Sequence, residues 1–433
     1  MGERSRLNPT IAVKVARYAP LAALTAINLF NYIDRYVISA LLPSIQRELA
    51  LDDTSAGLLG TAFMVVYFVV SPLFGWLGDR YPRPRLLASG VALWSLATAA
   101  TGLCRNYLAL FAARAAVGIG ESAYGSVAPS LITDLFARLQ HGRALSIFYM
   151  AIPVGSALGY LLGGVCGSAI GWRNTFFLVG LPGLLLCLLA FRLHDPARPG
   201  RAGDGAPSAR GFSLRTAADQ ALAAWRGHVA TVRQRLRANR VYVVTVAGLT
   251  AYTFGLGGFA FWAPSFMIRE RGYRPEDGML VFGAITVITG SIGTLTGGWL
   301  GDWLRARTVK GYSLLNTLAA LVGGTAATLC LSCERESLFL AGLVVAQLAL
   351  FLITGPVNAL IVGCVPSAIR GTAMATSIFC IHLFGDAISP VIIGRLSDLS
   401  GLRRAMSLTP VAFFLAAAIW SSTLLPGRRG KAA

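Results

Sequence analysis

Asp34 and Arg35, and Arg114 and Glu121, stand inside apolar runs long enough to cross a membrane. An ionised side chain is costly there and marks function when its charge can be compensated. Two acids and two bases sum to zero, and their division between two helices lets the pairing rearrange. On a helix Asn31 and Arg35 lie one turn apart and Arg114 and Glu121 two turns apart, so each pair can face a common cavity. A desolvated carboxyl holds its proton more tightly, and a nearby arginine loosens it again. Asp34 is therefore the first choice of proton carrier, with Glu121 as the alternative carrier or a second coupled group. Asn31, Tyr32, Arg35 and Arg114 are candidates for gripping a substrate. A static ion-pair network that only locks the two helices together is the competing account.

The corresponding runs later in the chain carry no charge. One offers Tyr252, Phe254, Phe259, Phe261 and Trp262, the other only Gln347 and Asn358 as strongly polar groups. A cavity charged on one wall and apolar-aromatic on the other suits an amphiphile, its head at Arg35 and Arg114 and its tail along Tyr252, Phe254 and Trp262; packing or lipid contact is the plainer role of such aromatics. His382 and Asp386 stand one turn apart, and His382 is a further protonatable candidate at the substrate site, or a satisfied core histidine. Cys330 and Cys333 form a C-x-x-C without a second pair, so no metal is expected. No nucleotide-binding, hydrolytic or cofactor motif is present, and an enzyme is not expected.

The elements that must position these groups follow from composition. Of 433 residues, 55% are hydrophobic and 13% charged, and the mean hydropathy is +0.63. This is more apolar than a water-soluble core requires. Runs of about twenty apolar residues recur between polar or Pro/Gly-marked breaks. They predict spans near 20–46, 55–78, 85–104, 107–135, 143–169 and 173–193, then 241–268, 278–301, 313–331, 337–365, 371–396 and 404–425. The net charge of +19 resembles that of a nucleic-acid binder, but its distribution excludes that reading. Basic residues crowd alternate connections: Arg4, Arg6, Lys14 and Arg17, then Arg80, Arg83 and Arg85, Arg138 and Arg143, the 194–240 gap, Arg305, Arg307 and Lys310, Arg370, and Arg428, Arg429 and Lys431. By the positive-inside rule both termini face the cytoplasm. The first span serves as its own signal. The surplus of arginine over lysine, with abundant alanine and glycine, points to a bacterial inner membrane.

Gly75-Trp-Leu-Gly78-Asp79 recurs letter for letter at Gly298-Trp-Leu-Gly301-Asp302, each closing the second span of a set of six. Gly171-Trp172-Arg173 is echoed by Gly401-Leu402-Arg403. The chain therefore divides into a six-helix bundle (1–193), a linker (194–240) and a second six-helix bundle (241–433). In the linker, Leu214, Ala218, Leu222, Trp225, Val229, Val232 and Leu236 recur at helical spacing against an arginine-rich face, predicting an amphipathic strap on the membrane surface. Gly75, Gly78, Asp79, Arg80, Arg83, Arg85 and Asp302 read as a conformational latch in which small residues permit close approach of helices. Glycines of the fifth span, Gly155, Gly159, Gly163 and Gly164, read as a packing seam.

Gly75 to Arg85 resembles the signature between helices 2 and 3 of the major facilitator superfamily, departing from it at Pro82 and Pro84. Asn31-Tyr-Ile-Asp34-Arg35-Tyr, Arg114-Ala-Ala-Val-Gly-Ile-Gly-Glu121 and His382-Leu-Phe-Gly-Asp386-Ala-Ile-Ser-Pro390 resemble the helix 1, 4 and 11 signatures of its Spinster family. The resemblance implies an all-α membrane protein with twelve transmembrane helices in two pseudo-symmetric bundles. It also implies a lipid or lysolipid transporter, with sphingosine-1-phosphate and lysophospholipids among the substrates of animal members, and proton-linked alternation through Asp34, Arg35 and Glu121. The expectation is a monomer that moves a small amphipathic substrate with protons and rests among membrane lipid. A multidrug or organic-anion exporter, or an uncoupled facilitator, is the alternative within the class; a lipid-binding sensor or scaffold is the alternative outside it.

Overall fold

The computed structural model describes residues 9–136, 144, 147–196, 239–365 and 370–425. The expected linker helix and the chain termini lie outside them. Spans 1 to 4 are single helices: Pro9–Leu49, Asp53–Arg80, Arg83–Thr101 and Tyr107–Leu135. Spans 5 and 6 form one helical element, Ala151–Phe191, broken at Gly171. Spans 7, 8 and 9 are Arg240–Arg269, Pro275–Arg307 and Gly311–Ser332. Span 10 runs through Glu336–Phe351 and Thr354–Gly363. Span 11 joins Arg370–Ile381 and Ser389–Ser400 through a π-helical turn, His382–Asp386, and span 12 comprises Leu402–Met406 and Leu408–Ser421. Asp52, Asn106 and Asn239 cap the helices that follow them by accepting from the amides of Ser55, Ala109 and Tyr242. Among the described residues, eight helical stretches are long and apolar enough to cross a membrane, one of them carrying both spans 5 and 6. Spans 1, 3 and 4, rich in charged or small polar residues, fall below that threshold. Packing supplies what their hydropathy lacks.

The two sets of six repeat each other in detail. Gly171 and Gly401 take the same left-handed backbone conformation, φ 79°, ψ 159° and φ 87°, ψ 151°, which only glycine adopts without strain. Each turn delivers an arginine to matched partners. Arg173 binds Glu48 at the end of span 1 and donates to the Cys104 carbonyl just beyond span 3 at 3.0 Å. Arg403 binds Glu270 just beyond span 7 at 3.3 Å and reaches the Leu331 carbonyl of span 9 at 3.4 Å. At the opposite end Arg83, buried, donates to Asp134 of span 4 at 2.7 Å and to Asp195 beyond span 6 at 2.9 Å. In the second set Lys310 reaches the Leu424 and Leu425 carbonyls beyond span 12.

Among the described residues, the hydrogen bonds and ion pairs between the halves lie toward the end that carries Asp53. Arg269 of span 7 binds Asp53 at 2.7 Å, Gln46 donates to it at 2.6 Å, and Ser397 of span 11 donates to its other oxygen. Asp398 accepts from the amides of Asp53 and Thr54 at 2.8 Å, capping span 2 from the opposite half. Beneath this polar rim the apolar core runs through both halves, with Tyr160 against Phe282 at 4.8 Å and donating to the Ala260 carbonyl at 2.8 Å.

Close backbone contact fixes the interior of the first half. A methyl group on Gly120 would lie 2.6 Å from the Trp94 amide and 2.7 Å from the Gly90 carbonyl. Gly120→Ala must therefore push spans 3 and 4 apart, at an expected ~2 to 3 kcal/mol. A clearly lowered melting temperature of the purified protein checks it.

Candidate functional site

Span 1 presents two layers. Tyr32, Arg35 and Tyr36 keep partial exposure, whereas Asn31 and Asp34 are buried. Gly155 and Gly159 of span 5 make this placement possible: methyl groups there would meet the Leu29 and Ile33 carbonyls of span 1 at 2.7 and 2.8 Å. Gly163 faces the same helix, while Gly164 faces Met279 of the other half.

Arg35 and Glu121 form the made pair. The Arg35 Nη2 donates to Glu121 Oε2 at 2.8 Å, with Nε at 3.3 Å. The guanidinium sits about equally far, 5.0 to 5.1 Å, from the rings of Tyr32, Phe63 and Tyr67, an aromatic box that attracts a cation through the ring quadrupoles. The Arg35 side chain is 17% exposed and Glu121 not at all. Asn31 is directed at the same carboxylate without reaching good hydrogen-bond geometry.

Asp34 and Arg114 form an open pair. Asp34 turns away from the interface toward span 3, where Thr98 donates to its Oδ2 at 3.2 Å, and its Oδ1 has no hydrogen-bond partner. Arg114 rests over Phe63 at 5.0 Å with Nε and Nη1 unpartnered. It lies within electrostatic range of both Asp34 and Glu121, yet no ion pair closes. The expectation that all four line one chamber is thus corrected. Asp34, Arg114 and Glu121 are 2%, 1% and 0% exposed, so the structure brings the four together but leaves only Arg35 among them partly exposed.

His382 faces this group from span 11. Its Nδ1 lies 3.0 Å from both carboxylate oxygens of Asp386, and its ring meets Tyr67 edge-on at 6.4 Å. The π turn that holds them is the kind of helix irregularity that often marks a functional position. Tyr67, Phe63 and Thr98 were not read from the sequence. Each is an uncharged residue inside an apolar run, and nothing in spacing distinguishes it from packing.

The aromatic wall is only partly realised. Tyr252 is buried in the second half's core against Phe413 and Trp420, its hydroxyl donating to the Leu350 carbonyl at 3.0 Å. Trp262 is fully buried, its indole donating to the Pro390 carbonyl at 3.0 Å. Both are packing residues here, because each ring is enclosed and each polar tip is satisfied by backbone. Phe254 alone of the three remains partly exposed.

The latch residues divide. Arg83 joins spans 3 and 4 to the segment beyond span 6, all within one half, and Arg85 is exposed. Asp302 accepts from Tyr312 at 2.7 Å. Methyl groups on Gly78 and Gly301 would touch Val127 and Pro356 of their own halves, whereas Gly75 and Gly298 face open space. The side chains of Asp79 and Arg80 lie outside the described residues. Among the described residues no group of three or more His, Cys, Asp and Glu could hold a metal ion.

Comparison with known proteins places this geometry. The Major Facilitator Superfamily profile matches residues 24–385. The chain is 32% identical over 396 residues to Protein spinster of Drosophila melanogaster, covering 88% of this chain and 62% of that protein's length. It is 32% identical over 421 residues to the probable sphingolipid transporter spinster homolog 2 of Arabidopsis thaliana, 93% of this chain and 85% of that one. To the sphingosine-1-phosphate transporter SPNS2 of Danio rerio it is 33% identical over 393 residues, covering 86% and 74%. The fold matches a crystal structure of a bacterial homolog to the human lysosomal transporter Spinster, in inward-facing and unoccupied conformation, with TM-score 0.79 at 22% identity over 96% of this chain and 99% of that one. A D-xylose-proton symporter shares it at TM-score 0.68 and 20% identity, covering 96% and 99%. A profile that spans most of the chain, together with relatives above 30% identity across most of their own length, leaves one assignment: the chain belongs to the Spinster family of the Major Facilitator Superfamily, as an integral multi-pass membrane transporter of twelve helices.

Proposed function

We propose that this transporter couples protons to the movement of an amphipathic lipid with an anionic or zwitterionic headgroup, of the lysophospholipid or sphingoid-phosphate class. The observation that carries the reading is the half-closed quartet, with Arg35–Glu121 made and Asp34 and Arg114 each left with unpartnered polar atoms. With both carboxylates ionised the group is neutral. A proton on either one leaves a charge of +1, which an anionic headgroup at Arg35 compensates, so proton and substrate bind best together. The aromatic box at Arg35 and partly exposed Phe254 offer apolar surface to the tail. His382, 3.0 Å from Asp386, stands beside Tyr67 from the opposite half and offers a further polar contact for the headgroup.

Alternation follows from the two ends of the molecule. The Asp53 end is sealed across the halves, and the end of the Gly-Trp-Leu-Gly-Asp repeats carries the basic connections that the positive-inside rule assigns to the cytoplasm. The protein is proposed to lie in a bacterial inner membrane with both termini cytoplasmic and to work as a monomer. Rocking of the halves would present Arg35 to one side and then the other.

The test is uptake into proteoliposomes. A gradient of one pH unit is worth ~1.4 kcal/mol per proton and supports about tenfold accumulation at one proton per substrate. Wild type is expected to accumulate lysophosphatidate on imposing that gradient, and not a monoacylglycerol of the same chain length. Asp34→Asn is expected to show no gradient-driven accumulation while retaining counterflow of labelled lysophosphatidate. Equal accumulation by both proteins would remove Asp34 from the coupling role; absence of counterflow by wild type would remove transport of this lipid class.

A further inference from the structure

We infer that Thr98, on span 3, is a positioning residue for Asp34: its hydroxyl holds the carboxyl in place and sets how readily it takes a proton, an inference that rests on Asp34 carrying the proton. Most described threonines inside these helices spend their hydroxyls on their own backbone, although the buried Thr25 and Thr61 hydroxyls find no partner. Thr101, Thr175, Thr245, Thr286 and Thr317 all donate to the carbonyl four residues back in their own helix, the ordinary way to satisfy a hydroxyl away from water. Thr98 departs from it. Its hydroxyl gives up that bond and crosses to the Asp34 carboxyl on span 1 at 3.2 Å, although the residue is completely buried.

Span 3 is well suited to hold such a donor still. On one side the Gly120 and Gly90 contacts wedge it against span 4; on the other a methyl group on Gly180 of span 6 would lie 2.7 Å from the Ala99 amide, one residue from Thr98. The hydroxyl is thus fixed to the interior of the bundle while span 1 offers Arg35 and Tyr36 to the moving interface. The charged groups facing Asp34 are Arg114 and Glu121 of span 4, with Arg35 beside it in sequence. Span 3's only ionisable side chains, Arg83 and Arg85, stand at its far end. Spans 2, 5 and 7 also pack on span 1, but Tyr67 and Tyr160 there face Arg35 and Tyr36.

A hydroxyl does what an arginine cannot. It donates to an ionised carboxylate and, after rotation, accepts from a protonated one, so Thr98 keeps Asp34 in one place through both states. Donation to the charged form favours ionisation. Removing the hydroxyl should therefore raise the pH at which Asp34 protonates.

Purified full-length protein is titrated by infrared spectroscopy, the Asp34 carboxyl band being assigned by its loss in Asp34→Asn. Thr98→Val is expected to move the midpoint upward by about one pH unit, with Thr98→Ser near wild type. Thr98→Ala, which needs no repacking for bulk, moves it in the same direction and serves if the valine variant does not fold. The pH profile of gradient-driven lysophosphatidate uptake should move with the midpoint. An unmoved midpoint in both Thr98→Val and Thr98→Ala, with Asp34 titrating normally in wild type, overturns this inference alone. A wild-type protein in which Asp34 never titrates overturns both this inference and the reading beneath it.

Discussion

Arg35→Ala should reduce counterflow of lysophosphatidate by at least about a hundredfold and destabilise the protein by ~3 to 5 kcal/mol, because it strands the Glu121 carboxylate in a fully buried position. The double variant Arg35→Met, Glu121→Leu separates two roles that the single variant confounds. Replacing both partners of a buried pair by apolar groups of similar volume commonly recovers the stability lost when one is removed. If the quartet were only a tie between spans 1 and 4, that repacked tie would also recover transport. The proposed function requires the opposite: thermal stability close to wild type, with transport as low as in Arg35→Ala. Scanning fluorimetry of the detergent-purified proteins and counterflow in proteoliposomes provide the two readouts. Wild-type counterflow in the double variant would leave the static network as the better account.

Asp53→Ala should open the sealed end. Asp53 is 4% exposed and gathers Arg269, Gln46 and Ser397, two of them from the opposite half. Charge-assisted bonds of this kind are worth about 1.5 to 3 kcal/mol apiece, and their effects are not additive, so ~3 kcal/mol is a fair figure for the set. That moves the balance between the end-closed and end-open forms by about a hundredfold. Arg269, already 37% exposed, passes to water at little cost, so the variant is expected to fold. Spin labels on the exposed Val411 and Leu108 positions would report a longer separation in Asp53→Ala by pulsed electron resonance. A distance distribution identical to wild type would show that the apolar layer around Tyr160 and Phe282, not the acidic rim, holds the halves together.

The membrane-spanning architecture was open to reading from the chain because its cause is simple: lipid requires long apolar helices, and these occur in the sequence almost residue for residue. Span 4 was expected at 107–135 and is found at Tyr107–Leu135; span 7 was expected at 241–268 and is found at Arg240–Arg269. The echo between Gly171 and Gly401 proved to be conformational as well as literal. What composition cannot give is the direction in which a side chain points. Asp34 and Arg35 are neighbours, and the 100° step between them puts one inside the bundle and the other at its wall. Tyr252 and Trp262 were assigned to that wall because aromatic residues on an apolar helix carry no mark of which face they occupy. Asp53, Asp398 and Arg269 were overlooked for the opposite reason. They lie at helix ends, where charge is ordinary, and their importance comes from partners 216 and 345 residues away.

Arg173 and Arg403 each tie their own helix to the ends of the same two neighbours in each half. Work done at the Asp53 rim therefore cannot be absorbed by shearing one helix past its neighbours, and it has to turn the whole half as a lever turns about its pivot. A half deprived of its arginine would yield like a spring, and a displacement at one end would then deform the bundle locally without reaching the distant rim.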